Sequence, residues 1–262
     1  MVRTYVLLAW TWTRAAAAYP ASFWLMTVLG LAVAVTDVAV ILVVFANTTT
    51  LAGFSREEVL FLYGAAGLPF TLCDMFVSNI DRVSQHIKAG TLDTFLIRPA
   101  GAWLQLATDR FTATRIGRVL QAGGVLGYAL TALGPDPGRL WMLPVMIATG
   151  VVIFTSLWTL AGALQFVLTG APEVVNSFTY GGFQLTQYPM SIYGRDLVRG
   201  VTYVLPLAFV NWQPALYVLD RADPFGTPGF TRFLGPVAAA VLALLAALAW
   251  RQGIRHYRST GS

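Results

Sequence analysis

Charged residues are scarce in this chain: Asp, Glu, Lys and Arg make up 11% of its 262 residues, whereas 56% are hydrophobic. A soluble domain carries about 25% charged residues, and a chain this apolar lacks the polar groups to cover a water-exposed surface. Disordered proteins, nucleic-acid-binding domains and most soluble enzymes are therefore excluded. The composition predicts an integral membrane protein with one membrane domain over residues 1–262.

Three side chains on which chemistry often depends are also scarce. The one cysteine, Cys73, excludes an internal disulfide and a multi-cysteine metal site. The two histidines, His86 and His256, lie in charged stretches, and the one lysine, Lys88, does not follow a glycine-rich turn. A phosphate-binding loop requires such a lysine, so the chain does not hydrolyse ATP by that mechanism. We expect no catalytic residue, metal or cofactor in this chain.

Seven apolar runs are candidates for crossing a bilayer, which takes about 20 residues. They lie around residues 23–45, 56–78, 119–133, 140–168, 174–193, 201–219 and 233–250. Basic residues favour the cytoplasmic side of a membrane. Six crossings place eleven basic residues in the cytoplasm and six outside, whereas seven crossings place ten and seven. The charges therefore favour six crossings with both termini in the cytoplasm.

The run over residues 201–219 is the one to leave out of the crossings. It carries two prolines and two side-chain amides: Pro206, Asn211, Gln213 and Pro214. Such residues are tolerated at membrane depth only where protein or water satisfies the backbone. We therefore expect an extracellular or re-entrant hairpin within residues 189–229.

The residues before the first crossing form a separate unit in this interpretation. They are too few to span a bilayer, and Trp10 and Trp12 are aromatics that prefer the membrane interface. Polar residues near one helical face are Thr4, Thr11 and Arg14. Residues 1–19 are therefore expected to form an amphipathic helix on the cytoplasmic leaflet. The alternative is an N-terminal extension of the first crossing.

Residues 80–115 form a charged stretch between the second and third crossings. We expect the second crossing to continue as a polar helix to Lys88, where Gly90 ends it. Thr91 can cap a short helix over residues 92–97, which Arg98 and Pro99 terminate.

This short helix carries three apolar side chains, Leu92, Phe95 and Leu96. Nothing else in the sequence is expected to bury them, so a cytoplasmic partner would cover their apolar area. The alternative is a loop on the lipid headgroups, with Arg98 on a phosphate. The spacing of the residues leaves both interpretations open.

Two blocks of residues resemble a known family. Gly90-Thr91-Leu92-Asp93, followed by Leu96-Ile97-Arg98-Pro99, is similar to the G-x-L-D…L-x-R-P segment of a branch of bacterial ABC-2-type permeases. The branch also has a block YP-x-x-I-Y…P-x-A-F-x-N-x-x-P. Residues that match this block include Tyr188, Pro189, Tyr193, Pro206, Asn211 and Pro214.

The resemblance implies an all-α membrane fold with six transmembrane helices. It implies an N-terminal interfacial helix, a coupling helix between the second and third crossings, and short re-entrant helices between the fifth and sixth. The family's ATPase is a separate P-loop protein that binds ATP and Mg²⁺ and is present in two copies. A second permease subunit, identical or paralogous, completes the transporter in the bacterial plasma membrane. The residues from Gly90 to Pro99 would contact the ATPase.

Polar side chains recur along the predicted fifth crossing. Asn176, Tyr180, Gln184 and Tyr188 are four residues apart, and Gln187 lies beside them. Polar residues in a crossing face protein or a water-filled cavity. Because the resemblance implies that the second and fifth crossings line the central cavity, this stripe is a candidate substrate path. The alternative is hydrogen bonding between helices at a subunit interface.

Two carboxylates lie within predicted crossings. Asp74 is expected to face the same cavity or to pair with Arg82 or Arg115. Asp37 lies near the middle of the first crossing, where a charge costs about 2.5–3.5 kcal/mol on insertion scales. We expect a neighbouring helix to satisfy it, or a proton to neutralise it.

The sequence therefore predicts the permease subunit of an ATP-driven exporter, whose substrate is an amphipathic small molecule, a lipid or a natural product. The alternative function is a proton-coupled secondary transporter that uses Asp37 or Asp74.

Overall fold

The computed structural model describes residues 2–168 and 177–257, and the regular elements of these residues are helices, with no strand among them. Twelve α-helices are numbered here in chain order. They are α1 (Val2–Ala17), α2 (Pro20–Asn47), α3 (Arg56–Phe76), α4 (Val83–Lys88), α5 (Leu92–Leu96), α6 (Ala102–Thr108), α7 (Ile116–Leu133), α8 (Met142–Leu164), α9 (Gly182–Thr186), α10 (Arg195–Tyr203), α11 (Trp212–Val218) and α12 (Gly235–His256). Short 3₁₀ turns join several of them.

Five helical segments of the described chain are long and apolar enough to cross a membrane. They comprise α2, α3, α7 with the turn before it, α8 with the turn before it, and α12. Helix α3 is central: it packs against α2, α7 and α8, and most of its residues are buried. The chain is thus a multi-pass membrane protein.

The bundle has two distinct ends. At one end, the Tyr5 hydroxyl of α1 donates to the carbonyl of Phe76, the last residue of α3, at 2.7 Å. Burial raises the pKa of the Tyr257 hydroxyl, and the nearby Asp93 carboxylate raises it further. Both ends of the described chain therefore lie beside residues 78–115. We call residues 78–115 the connector and this end of the bundle the connector end.

The opposite end, called here the far end, holds the turn at residues 134–139 and the segment at residues 219–233. Arg139 forms an ion pair with Asp220 at 2.6 Å. Arg221 donates to both carboxylate oxygens of Glu58, in the first turn of α3, at 2.7 and 2.6 Å.

Of the predicted fifth crossing, residues 177–186 are helical in the described part of the chain. They form a π-helical turn, Ser177–Gly181, followed by α9. Tyr180 contacts Asp74 near the connector end of α3, whereas the Thr186 carbonyl and the Leu62 carbonyl both accept from the Asn211 amide. The segment therefore runs antiparallel to α3. Six crossings stay a prediction, since residues 169–176 lie outside the described part.

Residues 201–219, which we left out of the crossings, do not form one long helix. They contain the end of α10, a 3₁₀ turn at Leu207–Phe209, and α11. Leu205, between the two α-helices, lines a cavity with Leu157 of α8 and Ala249 of α12. Both positions lie about 21–22 Å from the far ends of their helices at 1.5 Å per residue. Leu205 therefore lies at a cavity that α8 and α12 also line, and the re-entrant hairpin stays a prediction.

Helix α1 is separate from the first membrane helix, α2, because α1 ends at Ala17 and α2 begins at Pro20. We expected the apolar side of α1, opposite Thr4, Thr11 and Arg14, to contact the membrane interface. That opposite side instead packs on the protein through Tyr5 and the buried Ala9. The side chains that stay exposed include Val6, Leu7 and Trp10.

Helices α3 and α7 approach closely at one glycine. A Cβ atom on Gly64 would lie 2.7 Å from the backbone nitrogen of Leu126 and 2.9 Å from its Cα. These contacts are with backbone atoms and cannot be relieved by a rotamer change. A residue larger than glycine at this position would push the two helices apart.

We therefore expect Gly64→Ala to lower the stability of the purified protein by about 1–3 kcal/mol, the usual cost of overpacking. Thermal unfolding in detergent would measure it. Gly127→Ala on α7 is the matched control, because a Cβ there meets no atom within 4 Å. Equal unfolding midpoints for the two variants would contradict the close packing of α3 and α7.

Candidate functional site

A buried carboxylate lies where α3 meets the connector. Asp74 is 2% exposed, and its Oδ1 lies 3.1 Å from Nη1 of Arg115. Its Oδ2 lies 3.8 Å from Nη1 of Arg118, and the Tyr180 hydroxyl donates to Oδ1 at 3.2 Å. The expected pairing with Arg115 is confirmed, whereas the second arginine is Arg118 and not Arg82. A charge taken out of water needs such partners.

Arg115 also bonds to the connector itself. Its guanidinium donates to the carbonyl of Asp74 and to the hydroxyl of Ser78, the first residue of the connector. One side chain therefore holds the end of α3, the start of the connector and the approach to α7 together.

A cavity of about 190 Å³ lies beside this network, between α2, α3, α7 and residues 180–184. Its polar lining is Asp37, Tyr63, Thr71, Arg118, Gln121, Tyr180 and Gln184. Arg118 therefore faces both carboxylates, because it lines this cavity with Asp37 and lies near Asp74. The cavity combines one acidic and one basic group with phenol and amide groups.

The predicted polar stripe reaches this cavity only in part. Tyr180 and Gln184 line it, whereas Asn176 lies outside the described residues. The helix ends at Thr186, so Tyr188 and Gln187 do not continue the helical face. The Gln187 side chain is buried with its amide nitrogen unpartnered among the described residues, and Tyr188 packs half-buried against the core.

Four polar cavity residues were missed from the sequence: Tyr63, Thr71, Arg118 and Gln121. The Gln121 amide donates to the Tyr63 hydroxyl and to the carbonyl of Ala34, each at 3.3 Å. The sequence did contain a pattern that indicates two of them. Arg118 and Gln121 are three residues apart in a mostly apolar helix, and they therefore share one face. We counted Arg118 with the cytoplasmic charges, whereas it lies in the first turn of α7.

The connector differs from the expected continuous helix. Helix α3 ends at Phe76, and a 3₁₀ turn, Ser78–Arg82, precedes α4. The prediction that a helix ends at Lys88 beside Gly90 is confirmed, since Gly90 has φ +65°. Thr91 does not cap α5 with its side chain. Its hydroxyl instead lies 3.0 Å from Nδ1 of His86.

We expected three apolar side chains of α5 to be free for a partner. The structure shows that this expectation was wrong for two of them. Leu92 is 0% and Phe95 9% exposed, because both pack into the core of the chain. The Gln105 amide also donates to the Phe95 carbonyl at 2.8 Å. The exposed apolar residues are Leu96 and Ile97, at 37% and 83%. Arg98 and Pro99 beside them are also exposed.

The connector is attached to α8 as well. The buried side chain of Gln165, which follows α8, donates to the carbonyl of Asp81 and accepts from the backbone N–H of Ser84, both at 2.8 Å. A Cβ on Gly162 would lie 2.5 Å from Cγ2 of Ile80. The connector therefore lies directly on the end of α8.

The residues of the second family block lie in the hairpin region. Asn211 is buried and bonds to two carbonyl oxygens, as described above. Pro189 and Pro214 are buried, and Tyr193 and Pro206 are half-buried. These residues pack the hairpin against the bundle and do not line the cavity beside Asp74.

A comparison with protein-family models gives a match to residues 31–261, and that family is described as ABC-2 family transporter protein. This agrees with the resemblance of the two sequence blocks. No curated protein and no solved structure matches the chain.

One carboxyl of the connector is expected to titrate near neutral pH. Burial raises the pKa of Asp81 to about 6, although Arg82 and Arg115 lower it in part. A pKa raised in the folded state means that the protonated form is favoured there. This contribution to stability is complete below about pH 4 and is lost as the pH rises through 6.

We therefore expect Asp81→Asn to be more stable than the parent at pH 8, because the amide stays neutral when buried. The difference should shrink as the pH falls through 6 and vanish near pH 4. Unfolding midpoints measured across this range would test it. A pH-independent difference at Asp81 would contradict the raised pKa.

Proposed function

Since the chain belongs to the ABC-2 transporter family, whose members are membrane subunits of ABC transporters, we propose that it is an export permease. Its substrate is an amphipathic small molecule, a lipid or a natural product. A separate P-loop ATPase, in two copies, binds ATP and Mg²⁺ and hydrolyses the nucleotide. A second permease subunit, identical or paralogous, completes the membrane part. The connector then faces the cytoplasm of a bacterium, with both termini on the same side.

The observation that carries this proposal is the chain of contacts from the connector to the cavity. Arg115 bonds to Ser78 of the connector and to Asp74, and Asp74 accepts from Tyr180, which lines the cavity. A displacement of the connector by a bound ATPase would therefore act on a cavity wall. This is the coupling that an ATP-driven permease requires.

The surface for the ATPase follows from the burial pattern of α5. Leu92 and Phe95 anchor the short helix, and Gln165 fixes the preceding turn, so the connector moves as one body with its exposed tip. Ile97 and Leu96 provide the exposed apolar area, and Arg98 provides charge. We assign the role of the family's coupling helix, Gly90 to Pro99, to this tip.

Asp37 supports a second candidate function, a proton-coupled transporter. This carboxylate is half-buried and lines the cavity with Arg118. The two functions differ in what drives transport. Co-expression with a candidate P-loop ATPase from the same genome, followed by uptake into inverted vesicles, would separate them. ATP-dependent uptake that survives a proton uncoupler supports the ABC exporter, and uptake driven by a pH gradient without ATP supports the alternative.

We expect Ile97→Asp to weaken binding of the ATPase. Burial of one such side chain is worth about 1.5–3 kcal/mol, and the exposed side chain has no role in packing this chain. Binding of purified ATPase to the detergent-solubilised permease measures the effect, with roughly a tenfold or greater rise in Kd. Leu197→Asp, at an exposed leucine of the far end, is the control. Equal affinity of both variants would place the ATPase elsewhere.

Gln184→Leu tests the cavity, because it removes the side-chain amide and leaves a side chain of similar volume. We expect a changed set of compounds that stimulate the ATPase, with basal hydrolysis kept. An interface hydrogen bond in a membrane is worth only about 0.6 kcal/mol, so subunit association should also be kept. Gln252→Leu, at an exposed glutamine of α12, is the control. Dissociation of the subunits with an unchanged compound profile would place Gln184 at a subunit interface.

A further inference from the structure

A second polar cavity lies at the far end, away from the Asp74 network. It has a volume of about 350 Å³ and lies between α10, α11 and the loop over residues 225–228. Small-molecule sites usually have volumes of about 300–1,000 Å³. Its polar lining includes Arg195, Arg199, Thr202 and Gln213, and its aromatic lining is Tyr203, Trp212 and Phe225.

The cavity is positively charged. Arg195 and Arg199 are one helical turn apart, and no Asp or Glu is among the described residues that line the cavity. Arg195 has no acidic side chain within 4 Å in the described part of the chain, and Arg199 has only a 3.5 Å contact with the exposed Asp196. By contrast, the arginines Arg139 and Arg221 at the same end form close ion pairs.

The one acidic residue near the cavity loop is already satisfied. The carboxylate of Asp223 accepts from the backbone N–H of Phe225 at 2.9 Å and from the Gln213 amide at 3.1 Å. The Thr227 hydroxyl donates to it as well. Asp223 therefore holds the loop in place and does not pair with either arginine.

The cavity wall also contains an unused donor. Trp212 is 1% exposed, and its indole N–H has no acceptor among the described residues. A buried donor without a partner is unfavourable. An anionic ligand would supply acceptor oxygens to the guanidinium groups of Arg195 and Arg199, whose planar fork suits phosphate.

An apolar groove continues from this cavity. It has a volume of about 330 Å³ and shares Thr202 and Tyr203 with the charged cavity. It follows α12 past Val237 and Val241 to Leu245. These residues span about 12 Å along the helix axis at 1.5 Å per residue. A charged cavity and an apolar groove thus meet at Tyr203, whose side chain is exposed.

We propose that this bipartite site binds an anionic amphiphile from the bilayer, with a phosphate-type headgroup at Arg195 and Arg199 and an alkyl chain in the groove along α12. Charge complementarity selects the headgroup, and the length and apolarity of the groove select the chain. The site is separate from the cavity at Asp37 and Gln184. The proposal does not depend on ATP coupling, so it can fail or succeed independently of the proposed function.

Binding of dodecyl phosphate to the full-length chain, purified in dodecyl maltoside, tests the proposal. The readout is the shift of the thermal-unfolding midpoint with ligand concentration. Inorganic phosphate presents the headgroup alone, dodecanol presents the chain alone, and dodecylphosphocholine presents a headgroup without net charge. We expect dodecyl phosphate to give the largest shift, and we expect this shift to decrease with salt because screening weakens the charge interaction.

Two variants, each with a matched control variant, locate the bound ligand. Arg195→Gln should raise the Kd of dodecyl phosphate roughly tenfold, as expected for one charge-assisted hydrogen bond. Arg56→Gln removes one positive charge from the same end but not from the cavity, and should leave the Kd unchanged. Val241→Phe should fill the groove and weaken binding, whereas Leu244→Phe on the same helix, outside the lining, should not.

Three results would overturn the proposal. A full shift with inorganic phosphate alone indicates a free-anion site without a bound chain. Equal shifts with dodecyl phosphate and dodecylphosphocholine indicate that net charge plays no part. Equal Kd values for Arg195→Gln and Arg56→Gln indicate that the ligand binds elsewhere.

Discussion

The buried carboxylate of Asp74 is the constraint that positions the connector end of this bundle. An unpaired charge in an apolar interior is strongly unfavourable, so the residues that satisfy it must stay in place. They come from different elements: Arg115 from the turn before α7, Arg118 from α7, and Tyr180 from the segment antiparallel to α3. The connector starts beside this carboxylate, because Arg115 also bonds to Ser78. The membrane helices and the connector are therefore joined at one charge network.

Features that depend on a few neighbouring residues could be predicted from the sequence. Ser55 and Glu58 form a capping box at the start of α3, which their spacing of three residues is enough to indicate. Gly90 and Gly134 have positive φ angles at the predicted helix ends. The composition likewise predicts a bundle of membrane helices, since apolar length decides whether a segment can cross a bilayer.

Features that depend on distant residues could not be predicted in the same way. Leu92 and Phe95 look like a free apolar surface in the sequence, and only the fold shows that the bundle covers them. Arg118 looks like one more cytoplasmic charge, and its place between Asp37 and Asp74 depends on how α2, α3 and α7 pack. The stripe ends at Gln184 because the helix stops at Thr186. The regular spacing of four residues between the polar side chains does not indicate where the helix ends.

The connector is attached to the bundle by two contacts of different kinds. At α8, Gln165 holds backbone groups of Asp81 and Ser84, and Gly162 brings α8 within van der Waals distance of Ile80. Close-packed contacts of this kind transmit displacement because they cannot be compressed. At α3, the attachment is a charge network that can exchange partners, since Arg118 lies near two carboxylates. A push on the connector would therefore move α8 as a rigid neighbour, whereas the cavity would respond through a change of ion pairing at Asp74.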